Sequence, residues 1–215
     1  MNESGASVKK IILIGNGGHA KSVADTIEAM GKYEIAGFVA KDADDTFEYR
    51  GYKIIGVDAD LESIYQQGIQ CACVCIGYLG KGTARDTVYN ILKTIGYELP
   101  VIVDETAVIA ADAIIGEGTF VGKKAVINAS TKIGKMCIIN TAAVVEHECA
   151  VDDFTHVSVN ATLCGGASVG DHCLIGAGAT VIQEVTVGND SIVGANSTVL
   201  ANVSSARTVY GVYKG

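Results

Sequence analysis

From Val103 onward an aliphatic residue recurs at every sixth position, through Ile109, Ile115, Val121, Ile127 and Ile133 to Val193 and Val199. All seventeen positions of the series are Val, Ile or Leu. A six-residue period matches neither the 3.6 of an α-helix nor the 3.5 of a coiled coil. A second column supports the first. Four residues after each aliphatic stands a residue that is nearly always small, as at Ala107, Thr119, Ala125, Cys137, Ala161 and Ala179. Residues two apart on a strand point to the same side, so each hexad sends one small and one branched side chain inward. Gly, Asn or Asp often follows the aliphatic, as at Gly116, Asn128, Gly134, Gly170 and Gly194, and these types tolerate a sharp corner. The solution is a parallel β-helix in which three hexads make one triangular coil, so the series spans between five and six coils. The unbroken register leaves no room for a long loop.

Composition narrows the remaining possibilities. The chain has 215 residues with 26 glycines, one proline and a net charge of −8. It lacks the Lys/Arg cluster that nucleic acid or an anionic membrane would need. No apolar run reaches the ~18 residues of a membrane helix. Residues 1–8 read as a short polar tail without a hydrophobic signal core, which points to a cytoplasmic protein. The seven cysteines form no zinc-like CxxC pair. Cys71, Cys73 and Cys75 alternate along one expected strand and read as reduced, buried thiols.

Residues 9–100 follow another pattern. Strands are expected at 10–14, 35–39, 52–55 and 71–76, with helices at 20–30, 59–67 and 83–95. Alternating strand and helix gives a small parallel, Rossmann-like α/β sheet. Pro100 marks the passage to the prism at 101–204, and 205–215 reads as a C-terminal tail. Gly15-Asn16-Gly17-Gly18-His19-Ala20 has the G-x-G-x-x-A form whose amides approach a pyrophosphate at a helix N-terminus. A bare tight turn, an NAD site and a nucleotide diphosphate sugar site all fit that motif. The domain is short for NAD and offers no partner for hydride transfer.

Four histidines can do chemistry. His147 takes the third place of its hexad, at an outward corner, between Glu146 and Glu148. One coil later, Gly165 lies over His147 and Gly166 over Glu148. That leaves a slot beside the imidazole, where a thioester could lie with the Gly165 amide near its carbonyl. A three-histidine metal site on the prism would need His147, His156 and His172. Their spacings of 9 and 16 put them on different corners or faces of a three-hexad coil, so no metal is expected. His172 reads as surface or polar packing.

The glycine-glycine-histidine turn opening a small α/β domain, followed by hexads carrying V-V-E-H-E-C (144–149) and D-F-T-H-V-S-V (153–159), resembles the bacterial UDP-4-amino-sugar N-acetyltransferases and their sialic acid O-acetyltransferase relatives. The resemblance covers nearly the whole chain. It implies a left-handed β-helix, a homotrimer with sites between subunits, and acetyl-CoA as co-substrate. The acceptor it implies is the 4-amino group of a UDP- or dTDP-linked 4-amino-4,6-dideoxy sugar. Carried over residue by residue, His147 is the general base and Glu148 raises its basicity. Gly17, Gly18, His19 and Gly77 contact the sugar nucleotide, and His156, Gly165, Ala177 and Ala195 contact acetyl-CoA. Two stretches depart from the family. Its acidic pair after the second strand is here Ala40-Lys41-Asp42, which shifts the expected acidic contact to Asp42. Its proline-containing tail is here Gly211-Val212-Tyr213-Lys214. Two other readings are O-acetylation of a sialic acid-type sugar and a noncatalytic, sugar-nucleotide-binding trimer.

Overall fold

A computed structural model of the chain describes residues 8–44 and 46–215. Apart from the exposed Val8, the polar tail expected at 1–8 lies outside the described residues.

The first domain is a five-stranded sheet. Strand β1 (Lys9–Ile14) leads into α1 (Gly18–Met30) and β2 (Tyr33–Ala40). A two-residue strand β3 (Glu48–Tyr49) turns into β4 (Tyr52–Val57). A 3₁₀ turn (Asp58–Asp60), α2 (Leu61–Gln66), β5 (Cys71–Val74) and α3 (Ala84–Ile95) complete it. The spatial order is β3-β4-β2-β1-β5, with every pairing parallel except β3 with β4. Strand β1 reads as an unbroken apolar run because helices cover both faces of such a sheet. Helix α1 stops at Gly31, whose φ of 61° lets its N–H return to the carbonyls of Ile27 and Glu28. Cys71, Cys73 and Cys75 pack to one side of β5, and Ala72 and Val74 to the other. All seven cysteines are unpaired. Strand β3 has no counterpart in the sequence reading. Two residues carry no periodicity, and the hairpin is made by its turn, where Arg50 and Gly51 both have positive φ.

The second domain is the left-handed β-helix, a triangular prism of two-residue strands. The first face carries Ile102–Val103, Phe120–Val121, Ile138–Ile139, His156–Val157, Leu174–Ile175, Ile192–Val193 and Thr208–Val209. The second runs from Val108–Ile109 to Val212–Tyr213, and the third from Ile114–Ile115 to Thr186–Val187. From Ile102 to Val199 each strand residue pairs with its counterpart three hexads on, as in Val126 with Val144 and Val144 with Thr162. The aliphatic series and the small residues two places before it fill the interior.

Two features differ from the sequence reading. The left-handed backbone that turns each corner is not at the Gly/Asn/Asp position after the aliphatic. It is two places later, where every sixth residue from Gly118 to Asn196 has φ between 53° and 69°, and only Gly118, Gly166 and Gly178 of these are glycines. Each such residue is held by its own N–H, which donates to the coil below, mostly to a carbonyl, as Glu148 to Ala129 and Ala142 to Lys123, and at Lys124 and Ser130 to the side chains of Thr106 and Asp112. The glycines after the aliphatics serve another need. A Cβ on Gly176 would stand 2.6 Å from the backbone nitrogen of Ala195 in the next coil, and one on Gly116 would stand 2.6 Å from that of Lys135. The second difference is the C-terminus. Thr208–Val209 and Val212–Tyr213 are strands of the prism, not a tail beyond it. Thr208 pairs with Ile192, and Val212 with Thr198, so each of these turns closes before three hexads have passed. The hexad register is lost while the coil continues.

The α/β domain sits on the first face. The outward residues there, Ile102, Phe120, Ile138 and His156, are buried beneath it. The Tyr78 hydroxyl donates to the His172 carbonyl at 2.7 Å, and the Thr26 hydroxyl donates to Asp104 at 2.9 Å. Lys123 pairs with Asp25, and Lys93 with Glu117 at 2.8 Å.

The corner geometry predicts opposite outcomes for two substitutions. Gly176→Ala should lower stability by about 1–3 kcal/mol because backbone blocks the new methyl. Ala142→Gly, at a left-handed position, should leave stability level or raise it by up to about 1 kcal/mol. Urea unfolding of the two variants against wild type measures both.

Candidate active site

The sheet reverses its winding between β1 and β5, and a cleft of ≈ 520 Å³ lies at the carboxyl ends of the strands. Ligands of open α/β sheets bind at this switch point. Gly15, Asn16, Gly17, Gly18 and His19 line the cleft from the β1–α1 turn, and Ile76, Gly77 and Leu79 line it beyond β5. Gly17, Gly18 and Gly77 each have open space where a Cβ would stand, so a ligand can approach their backbone. The first turn of α1 holds no acidic residue and its N-cap no capping side chain, so its amides are available to an anion.

Four residues thus meet in one place: Gly17, Gly18, His19 and Gly77. Asp42 does not join them. It is exposed beyond the end of β2, and the acidic residue that lines the cleft is Asp58, directly after β4, beside Lys41, which follows the paired strand β2. The expectation of Asp42 rested on the family's acidic pair after the second strand; here Asp42 stands two residues past the end of β2, whereas Asp58 follows β4 directly.

His147 stands on the edge between the second and third faces, with its side chain 60% exposed. Its Nδ1 lies 3.2 Å from Glu148 Oε2. With the carboxylate accepting, Nδ1 carries the proton and Nε2 presents its lone pair. The backbone beneath is fixed. Asn128 Nδ2 donates to Glu146 at 2.9 Å, Glu146 accepts the His147 N–H at 3.3 Å, and the His147 carbonyl accepts the Gly166 N–H at 2.9 Å. The stacking of Gly165 on His147 has a different use from the slot expected. A Cβ on Gly165 would stand 2.6 Å from His147 Cε1 and 2.7 Å from Nε2, so the imidazole itself lies over the glycine. A thioester would have to lie beside that ring, not on the glycine.

Ala177 and Ala195 are exposed on the edge between the first and second faces, one above the other and one face away from His147. His156 is not on an edge. It is buried in the seam, where its Nδ1–H donates to the Tyr78 carbonyl at 2.8 Å and its Nε2 accepts from Asn140 Nδ2 at 3.0 Å. Both ring nitrogens are thereby used within the chain, and no free one is left for a cofactor. The signal for this was in the sequence. His156 occupies the outward column of the first face, otherwise Ile102, Phe120, Ile138, Leu174 and Ile192, which is too apolar for a wall in water. His172 Nε2 lies 2.6 Å from Asp86, and its ring stacks on Phe154. Among the described residues, no group of His, Cys, Asp and Glu is placed to hold a metal ion.

Burial keeps two histidines neutral. The pKa of His19 is pushed down to about 3, by burial first and then by Arg85 and His156. That of His156 falls to about 4, again by burial, with Arg85 adding to it.

An edge of a triangular prism lies opposite one face. The α/β domain covers the first face, and the His147 edge is the one opposite it. Within a single chain the cleft and the imidazole are therefore on opposite sides of the prism.

The comparisons with known proteins agree with this architecture. Residues 10–92 match the PglD N-terminal domain, 112–146 the hexapeptide repeat of succinyl-transferase, and 166–201 the bacterial transferase hexapeptide (six repeats). A histidine variant of the GDP-perosamine N-acetyltransferase of Caulobacter crescentus, solved with CoA and GDP-perosamine, is 33% identical. The match covers 95% of each chain, with a TM-score of 0.89. The acetyltransferase domain of PglB from Neisseria gonorrhoeae, solved with acetyl coenzyme A, is 32% identical over 95% of this chain and 97% of that one, with a TM-score of 0.86. The chain belongs to the hexapeptide-repeat sugar acetyltransferases. It is an acyltransferase.

The neutral histidines predict a pH dependence of stability. Unfolded, both take up a proton below their ordinary 6.5. Folded, they stay neutral to about 4 and about 3. Their contribution is full above pH 6.5 and is lost as pH falls toward 4, at about 1.4 kcal/mol per pH unit for each. Urea midpoints measured across that window should fall, and His156→Gln should flatten the slope.

Proposed function

We propose that this enzyme transfers the acetyl group of acetyl-CoA to the 4-amino group of a nucleoside-diphosphate-linked 4-amino-4,6-dideoxy sugar, with His147 as general base. The observation that carries this reading is the pairing of an exposed imidazole, oriented by Glu148 at 3.2 Å, with a glycine-lined cleft suited to a diphosphate. The resemblance of the sequence names UDP or dTDP as the carrier. The relative from Caulobacter crescentus was solved with GDP-perosamine, so GDP is the third carrier to test.

Acetyl transfer from a thioester to an amine needs no enzyme nucleophile. It needs alignment, a base and an oxyanion donor. In this reading Gly17, Gly18, His19 and Gly77 hold the sugar nucleotide. Asp58 takes the role first expected of Asp42, accepting hydroxyl or base donors. His147 Nε2 removes the proton as the amine attacks the thioester carbonyl, and returns it to the departing thiolate. The Gly165 N–H, which makes no hydrogen bond among the described residues, is the candidate oxyanion donor. Gly165, Ala177 and Ala195 offer main-chain groups to the coenzyme, and His156 shapes the seam behind them. A thioester donor and seven unpaired cysteines suit the cytoplasm.

The opposed placement of cleft and base requires a neighbour. In a homotrimer with prisms side by side, the His147 edge of one copy faces the cleft of the next, and the Ala177–Ala195 edge of one copy can border the His147 edge of another.

Acetyl-CoA is mixed with UDP-, dTDP- and GDP-linked 4-amino sugars and the products are read by mass spectrometry. The expected product is heavier than the sugar by one acetyl unit. His147→Ala should lower kcat about 10²–10⁴-fold. If no amino sugar is acetylated and a sialic acid is, the reading is wrong in its acceptor. Wild-type rate with His147→Ala would remove the base. Complementation tests the shared site. His147→Ala and His19→Ala subunits, each weak alone, should regain activity when unfolded and refolded together, because mixed trimers contain some sites with both residues intact.

A further inference from the structure

Arg85 is the second residue of α3, directly after Ala84 of the cleft wall, and it is 3% exposed. Its guanidinium reaches into both domains. One terminal nitrogen donates to the Ile76 carbonyl at 2.9 Å, at the edge of the cleft, and the other donates to the Met136 carbonyl on the prism. Its Nε is buried without a partner.

No carboxylate is paired with this cation among the described residues. Its sequence neighbour Asp86 is turned to His172 at 2.6 Å. The titratable groups packed around it from the other elements are His19 and His156, both held neutral, and the thiols of Cys73, Cys75 and Cys137. Burial pushes the Cys75 and Cys137 thiols up, so they too are uncharged. The cation is near enough to the cleft to depress the pKa of His19, which lines it and whose own Nε2 is buried and unpartnered. A buried charge without a counter-charge is costly and persists where something else requires it. An uncompensated positive charge thus lies behind the cleft wall at Ile76, while the rim offers open glycine amides.

We propose that Arg85 is a positioning residue for the substrate, tying the Ile76–Gly77 edge of the cleft to the prism at Met136 and supplying the buried positive charge that a bound diphosphate neutralises. The inference rests on the nucleotide-sugar reading of the cleft. In consequence, diphosphate binding tightens the seam between the domains, and the acetyl donor, which binds elsewhere, is indifferent to this residue.

The test uses the full-length enzyme with UDP, dTDP and GDP as probes, the uncharged nucleosides as controls, and the variants Arg85→Met and Arg85→Lys. Wild type should melt higher with at least one of the diphosphates and not with its nucleoside. Arg85→Met should lose most of that upshift. It should raise KM for the nucleotide sugar about tenfold or more while the KM for acetyl-CoA stays within about twofold. Arg85→Lys keeps the charge and should restore part of both the upshift and the affinity. Arg85→Met with wild-type upshift and KM overturns the proposal, as does an equal rise in both KM values, which marks a merely structural role. If Arg85→Met does not fold, Arg85→Lys decides alone. An upshift retained supports the proposal, and one abolished overturns it. A wild type that neither responds to any diphosphate nor acetylates any nucleotide sugar fails at the earlier reading, and this inference falls with it.

Discussion

The stacked backbone ladder, with its invariant three-hexad offset from Ile102 to Val199, is the constraint on which the molecule rests. Because every coil repeats the one below, any property of a position becomes a column. Inward columns become core, outward columns become walls, and corner columns become edges. The ladder tolerates left-handed backbone at residues as unsuited to it as Phe154, because the N–H of each such residue is claimed by an acceptor of the coil beneath, for Phe154 the Lys135 carbonyl. Gly165 has its place for the same reason. It stands one coil after His147, where any side chain would displace the imidazole.

Which wall the α/β domain covers then decides where chemistry can happen. The apolar column on the first face draws the domain there, and its burial leaves His147 on the far edge. In the function proposed above, the two halves of the chain supply parts of one site, and a neighbouring copy completes it. The seam carries the polar cost of this arrangement, with His156 neutral and doubly hydrogen-bonded and Arg85 spanning both domains.

The hexads were legible in the sequence because the ladder imposes one period on all of them, and the α/β elements because their apolar runs are long. The exposure of His147 followed from its place in the hexad, and the meeting of Gly17, Gly18 and His19 from a glycine turn at a strand end, with Gly77 added by the family resemblance. What was misread shares a physical cause. The corner conformation lies at positions with no residue preference, since backbone hydrogen bonds outweigh propensity there. The last strands break period, so 205–215 resembled a tail. Asp42 lies two residues past its strand and is exposed, while Asp58 directly follows its own, a difference of strand end that no local pattern records. His156 lay in a stretch matched to coenzyme contacts, and only the chemistry of its column marks it as part of the seam.

The final coils are cut short, with Ile192 meeting Thr208 and Thr198 meeting Val212, and this narrows the prism toward its carboxyl end. A solenoid with identical ends would offer each new molecule a matching edge and could grow into fibres. Here the last turns pass sixteen and fourteen residues between paired positions, whereas the first pass eighteen. The two ends are therefore not copies of one another, and a fresh coil laid on the last would find no eighteen-residue register to continue.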